Sequence, residues 1–246
     1  MKRLGRIGVI AAFSFGGWTA GAAAVAAPAA ACNVLPGMQC APDLLTVNSG
    51  ATLFNQKSGT ITAMDNSTSP PTVIVADYTE NVYQDPDNNL CGVAGKCLTW
   101  VLQVTNRASS TDTIARVTVS NFAGFTTETG ISTNGAPGMT DSASNIAPDR
   151  VSRSADGKIV RWDFGTSGGS EVGLGQTTRL LEIQTNSTQT VPGTVTVQDG
   201  VAGNGPGLSP AIPETLWVPA LGLFGGAIAG GYAVRRRRVG ARRPTK

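Results

Sequence analysis

The chain of 246 residues contains no histidine. It therefore lacks both the commonest general base and the commonest metal ligand of proteins, and acid–base or metal-dependent catalysis is disfavoured from the start. Aromatic residues make up 6% of the sequence and charged residues 14%. Between Cys32 and Pro213 there are only three lysines (Lys57, Lys96, Lys158) and four glutamates (Glu80, Glu128, Glu171, Glu182). Threonine, valine, glycine, asparagine, serine and aspartate dominate instead, residues of strands and turns rather than helices. This composition argues against an all-helical domain.

Positive charge is scarce in the same stretch. The formal net charge is +3, yet residues 32–213 carry nine Lys+Arg against fifteen Asp+Glu, a net of −6. The excess of base sits at the ends, in Lys2, Arg3 and Arg6 and in Arg235–Arg238, Arg242, Arg243 and Lys246. A nucleic-acid binder carries its basic charge on the folded part, so no nucleic-acid partner is expected. The 182 residues of the acidic middle suffice for one well-buried domain.

Both ends have the layout of addresses. The basic start precedes an apolar run, Ile7–Phe15, and an alanine-rich stretch. Small residues at −3 and −1 fit cleavage after Ala26 or after Ala31, so residues 1–31 read as a secretory signal peptide. Near the other end, Leu216–Val234 is 19 residues without a charge. As a helix it would span about 28 Å, close to the hydrocarbon thickness of a bilayer. It predicts one C-terminal transmembrane helix over 216–234. Arg235, Arg236, Arg237 and Arg238 follow directly as a membrane stop, placing the basic tail 235–246 in the cytoplasm and the preceding domain outside. Trp217 and Tyr232 stand near the two edges of the span, where amphipathic rings favour the interface.

Ile212-Pro213-Glu214-Thr215, the apolar stretch and the arginine cluster together resemble a bacterial tripartite cell-surface sorting signal. Two families are similar. PEP-CTERM signals, read by exosortases, run Val-Pro-Glu-Pro straight into the apolar helix; here Thr215 replaces the second proline. The LPXTG signal of Gram-positive sortases is matched by Pro213, Glu214 and Thr215, but Leu216 stands where its glycine belongs. The resemblance implies a membrane-anchored or sorted surface protein and an exosortase- or sortase-type processing enzyme as partner. An ordinary single-pass anchor is the plainer alternative.

The domain between these ends alternates strongly. Leu98, Trp100, Leu102 and Val104 share one face of a strand with Thr99, Gln103 and Thr105 on the other. Val160, Trp162 and Phe164 do the same against Arg161 and Asp163, and Val195 and Val197 against Thr194 and Thr196. Further strands are expected over 44–47, 52–54, 72–78, 113–120 and 179–184, with two-residue hairpin turns at Asp156-Gly157 and Asn134-Gly135. Eight or so short strands without a helical pattern predict an all-β, immunoglobulin-like β-sandwich ectodomain over 32–200. Residues 131–148 read as an exposed insertion, and 201–215 as a Gly/Pro-rich stalk ending in the sorting motif. The runs Val104–Phe125 and Gly175–Asn186 are also loosely similar to ectodomains that accompany PEP-CTERM tails.

Four cysteines, Cys32, Cys40, Cys91 and Cys97, predict disulfides in an exported domain; three connectivities are possible, and the two local loops are the economical one. Gly165-Thr-Ser-Gly-Gly169 matches the nucleophile-elbow pattern, but with no histidine it reads as a flexible loop. Asp85, Asp87 and Asn89 resemble the first half of a calcium loop, although Leu90 and Lys96 stand where its turn glycine and bidentate glutamate belong. The alternative there is an Asx-rich turn. No catalytic residue and no cofactor is assigned. The expected function is non-catalytic, adhesive or envelope- and matrix-associated, with any surface ligand met on Thr126–Pro148 or Asp85–Lys96. A self-assembling envelope component is the alternative, and a surface hydrolase the distant one.

Overall fold

The structure is a computed structural model that describes residues 32–211 except 94, 133 and 167. The expected signal peptide, transmembrane helix and basic tail lie outside these residues. Within them the chain forms strands only: β1 (Gln39–Cys40), β2 (Asp43–Leu45), β3 (Thr52–Asp65), β4 (Thr72–Gln84), β5 (Leu98–Asn106), β6 (Arg116–Val119), β7 (Thr127–Ser132), β8 (Arg150–Arg153), β9 (Val160–Asp163), β10 (Leu181–Thr185), β11 (Gln189–Asp199) and β12 (Val201–Ala211). One sheet has the order β1-β8-β9-β6-β11-β12, the other β2-β7-β10-β5-β4-β3. Every pairing is antiparallel but β2 with β7. No helix among the described residues is long and apolar enough to cross a membrane.

The core forms where the inward faces of the two sheets meet, and the alternation read from the sequence decides which residues enter it. Leu98, Trp100, Leu102 and Val104 of β5 and Val160 and Trp162 of β9 are fully buried there, with Val195 and Val197 of β11. Trp100 meets Phe122 edge to face, with ring centroids 5.8 Å apart. The Trp162 indole N–H donates to the Gly130 carbonyl at 3.3 Å, tying one sheet to the other.

Several expectations need correction. The Gly/Pro-rich stretch after Gly200 is no stalk as far as Ala211: it is β12, paired with β11 along its whole length from Asp199↔Val201 to Gln189↔Ala211. Glycine is required because β12 lies directly on β3 and β4. A Cβ at Gly203 would stand 2.8 Å from Ile61 Cγ2, and one at Gly205 2.8 Å from Ile61 Cγ1 and 3.0 Å from Tyr78 Cε1. Proline is tolerated because β12 is an edge strand.

Residues 131–148 are not simply an exposed insertion. Ile131 and Ser132 complete β7, Ile146 bridges Thr178, and Ala136 and Met139 cover a second apolar cluster with Val47, Ala51, Tyr83, Val101 and Leu180. The reason is Val101 and Tyr83, apolar side chains on the face of the sheet that points away from the main core; they need a cover. The tight turn in this loop falls on Pro137-Gly138 rather than Asn134-Gly135: Met139 N–H donates to the Ala136 carbonyl at 2.8 Å, and Gly138 has φ 79°. Asp156-Gly157 does lie in a hairpin, but a wider one, closed by Ser154 N–H to the Ile159 carbonyl. Hydrogen bonds from Ser154, and from the Lys158 N–H, hold the Asp156 carboxyl down at about 2.

Candidate functional site

Two disulfides, Cys32–Cys40 and Cys91–Cys97, close the local loops. The second lies in the loop between β4 and β5, and its neighbour Asn88 fixes that loop to the sheet. The Asn88 side-chain amide donates to the Leu98 and Thr185 carbonyls at 3.0 and 3.2 Å and to Thr99 Oγ1 at 3.3 Å. Nothing in the sequence sets Asn88 apart from Asn89 beside it; burial alone distinguishes them.

Asp85, Asp87 and Asn89 form the Asx-type turn. Asp85 Oδ1 accepts the N–H groups of Asp87 and Asn48 at 3.0 and 3.3 Å, and Oδ2 accepts the Thr99 hydroxyl. Asp87 Oδ2 accepts the Asn48 amide, and Asn89 turns its own amide back to the Asp87 carbonyl. The three side chains serve separate hydrogen bonds. Among the described residues no group of three or more Cys, Asp or Glu side chains is arranged to hold a metal ion. Gly165–Gly169 is a loop after β9, with Gly165 and Gly168 at φ 70° and 87° and no helix behind it; Ser167 lies outside the described residues.

The two loops singled out for ligand contact come together. Thr46, Val47, Asn48 and Ser49, with Asp87 from the β4–β5 loop and Asn134, Gly135, Ala136 and Pro137 from the loop after β7, line an open cleft of about 410 Å³. Its walls are braced: Tyr83 donates to the Pro137 carbonyl, Ser132 to the Gly135 carbonyl, and Gly50 N–H to Asn48 Oδ1. The same face of the sheet carries Glu182, Val101 and Asn81 in one cross-strand row and Gln184, Thr99 and Tyr83 in the next. Glu182 is fully buried, and desolvation pushes its carboxyl up to about 7, opposed by the Gln184 amide at 3.0 Å.

Three further titratable groups escape sequence reading. Glu80 lies on the inward face of β4; it is 1% exposed, one carboxyl oxygen accepts the Leu208 N–H of β12 at 2.8 Å, and burial pushes it up to about 8. Buried Asp163 is flanked by Arg116, Arg150 and Arg161 at 2.6, 3.1 and 3.4 Å. Arg153 is buried without a carboxylate and donates to the Gly157, Val34, Phe122 and Phe125 carbonyls and to Thr127 Oγ1. One signal could have found Glu80: it shares the parity of Ile74, Ala76, Tyr78 and Val82.

Ile212, Pro213, Glu214 and Thr215 of the sorting motif and Arg235–Arg238 of the membrane stop lie outside the described residues. No protein family, curated protein or solved structure matches this chain.

Proposed function

We propose that the chain is an exported bacterial surface protein whose β-sandwich works by binding rather than by chemistry, delivered and sorted by its two ends. The observation that carries this reading is the closure of both cysteine pairs within a charge-poor domain lying between signal-like and sorting-like segments. Disulfides form and persist in oxidising compartments, so the bridges favour a domain that faces the outside. The sandwich is immunoglobulin-like in the broad sense, antiparallel and with a chain that changes sheet repeatedly. A single C-terminal helix over 216–234 anchors it, and an exosortase- or sortase-type enzyme reads Ile212–Thr215. The cleft between Asn48 and Pro137 is the place for an extracellular ligand, because three loops converge there on the sheet.

Intact mass of the protein extracted from cell envelopes tests this reading. The expected product begins after Ala26 or Ala31 and has lost everything beyond Pro213 or Thr215. An arginine-rich tail still in place would reduce the sorting signal to a plain anchor. A chain that keeps its N-terminus and offers four alkylatable thiols would overturn export itself.

A further inference from the structure

A β-sandwich exposes four sheet edges, and here they are treated unequally. The outer strands β1 and β2 are two and three residues long, too short to template another strand. β12 is eleven residues long but blunted. The Ser120–Thr194 and Ala115–Gln198 backbone bonds turn the even-numbered residues of β11 toward β6. The odd-numbered ones therefore face the odd-numbered residues of β12, whose even positions point outward. Those outward positions include Pro206 and Pro210, which have no N–H, and Leu208, whose N–H is taken by Glu80. The Pro206 carbonyl is taken by the Tyr78 hydroxyl at 2.5 Å. From 206 to 210 this edge offers no donor.

The fourth edge, β3, is fourteen residues long and, among the described residues, pairs only with β4. Arg107 and Thr111 N–H groups donate to the Val75 and Val73 carbonyls, so the odd residues of β4 face β5. The even residues of β4 then bond to Lys57, Gly59, Ile61, Ala63 and Asp65. Ser58, Thr60, Thr62 and Met64 turn their backbone groups away from β4, and all four residues are exposed, with the Thr62 carbonyl also lying against Gly203 of β12. A bulge at Leu53/Asn55 and the Asn55 side chain, which caps the Gln56 N–H at 2.8 Å, close the edge at one end only. From 58 to 64 there is neither charge nor proline, the devices by which natural edges avoid pairing.

We propose that β3 pairs antiparallel with β3 of a second copy about a two-fold axis at Ile61, joining the two sheets into one. Symmetry requires the antiparallel direction, and the outward phase allows only registers that match even residues with even ones. Centred on Ile61, Thr60 meets Thr62 and Ser58 meets Met64 of the second copy, giving on the order of eight interchain hydrogen bonds. Lys57 then faces Asp65 across the interface, once at each end. A shift by one allowed step in either direction puts Lys57 opposite Ala63 or Ser67 and loses both ion pairs. Opposite charges directly across a ladder favour the register, and the strand's only two charges are placed for it.

The test uses the full-length chain, whose native cysteines are bridged. The double variant Lys57→Cys/Asp65→Cys, oxidised in the cell envelope or in detergent extract, is expected to give a disulfide-linked species of twice the single-chain mass. Each single variant should give none, because neither position faces itself. Adding Ser58→Pro, which removes only an outward N–H, should abolish the cross-link with the melting temperature little changed. Equal cross-linking by the single variants, persistence with Ser58→Pro, adducts to a different protein, or no adduct at all would each overturn the pairing. The outcome does not depend on whether the tail is processed.

Discussion

Replacing Glu80 by glutamine should change how stability depends on pH more than it changes stability itself. In the folded chain the carboxyl is buried between the sheets and pushed up to about 8, chiefly by desolvation, while the Leu208 N–H pulls the other way. In the unfolded chain it returns to about 4.3. The folded state therefore holds a proton that the unfolded state releases between those values. Stability is full below about pH 4.3 and declines as the pH rises toward 8. Each unit is worth about 1.4 kcal/mol for one group, so the decline attributable to Glu80 has an upper bound of about 5 kcal/mol.

Glu182, pushed up to about 7, adds a parallel slope that ends lower. Burial also raises Asp85 and Glu128, which contribute in the same direction. The lack of histidine leaves this interval free of the side chain that ordinarily titrates there. Urea unfolding followed by tryptophan fluorescence at pH 5, 6, 7 and 8 gives the curve for the parent and for Glu80→Gln. The variant should be near neutral at pH 5, lose roughly half the slope near pH 6, and lose most of the slope between pH 7 and 8, where Glu80 is titrating and Glu182 is completing its titration. Equal slopes for the two proteins would refute a protonated Glu80 in the fold.

Two further substitutions examine the parts that hold the sandwich closed. Gly205→Ala places a methyl 2.8 Å from Ile61 Cγ1 and 3.0 Å from Tyr78 Cε1, and should cost about 1–3 kcal/mol in the same unfolding experiment; a neutral result would return residues 201–211 to the status of a stalk. Arg153→Met leaves the Gly157, Val34, Phe122 and Phe125 carbonyls without their shared donor, and should lower stability by roughly 3 kcal/mol, or about 6–12 °C in Tm. Arg153→Lys, which keeps the charge but supplies fewer donors in another geometry, should recover only part of that loss.

What could be read in advance follows the hydrophobic period. Strands with one apolar face, such as β5, β9 and β11, were visible to within a few residues because Trp100, Trp162 and Val195 recur at a spacing of two among polar neighbours. The strands that escaped, or that were read only at one end as β3 was over 52–54, lack that contrast. β3 is apolar inward only at Ile61 and Ala63, and the remaining inward positions from 55 to 65 are Asn, Lys, Gly and Asp. β12 carries glycine at 203 and 205, where the opposite sheet comes too close for a side chain, and at 207, packed against Val195 of β11 and Glu80. A pattern that counts glycine as a break must read such a strand as loop. The cleft was half legible: Asp85–Lys96 was recognisable as a loop, Thr126–Pro148 is a loop only beyond β7, and Thr46–Ser49, which completes the cleft, was read in part as strand over 44–47.

The same strand shows why proline is a poor stop signal at an edge. Pro206 and Pro210 are four residues apart, so both fall on the outward phase of β12, where a missing N–H costs the ladder nothing. A shift of either by one residue would have removed a bond to β11. Between them the Leu208 N–H is spent on Glu80, which explains why a carboxyl is retained in the core: it takes the one donor that proline does not remove. A buried carboxyl, glycine and proline in this region thus serve one end, to turn a strand edge inward and close it. β3 alone has no such provision over 58–64, and that contrast within one sandwich is the physical ground for reading β3 as the surface left open to pair.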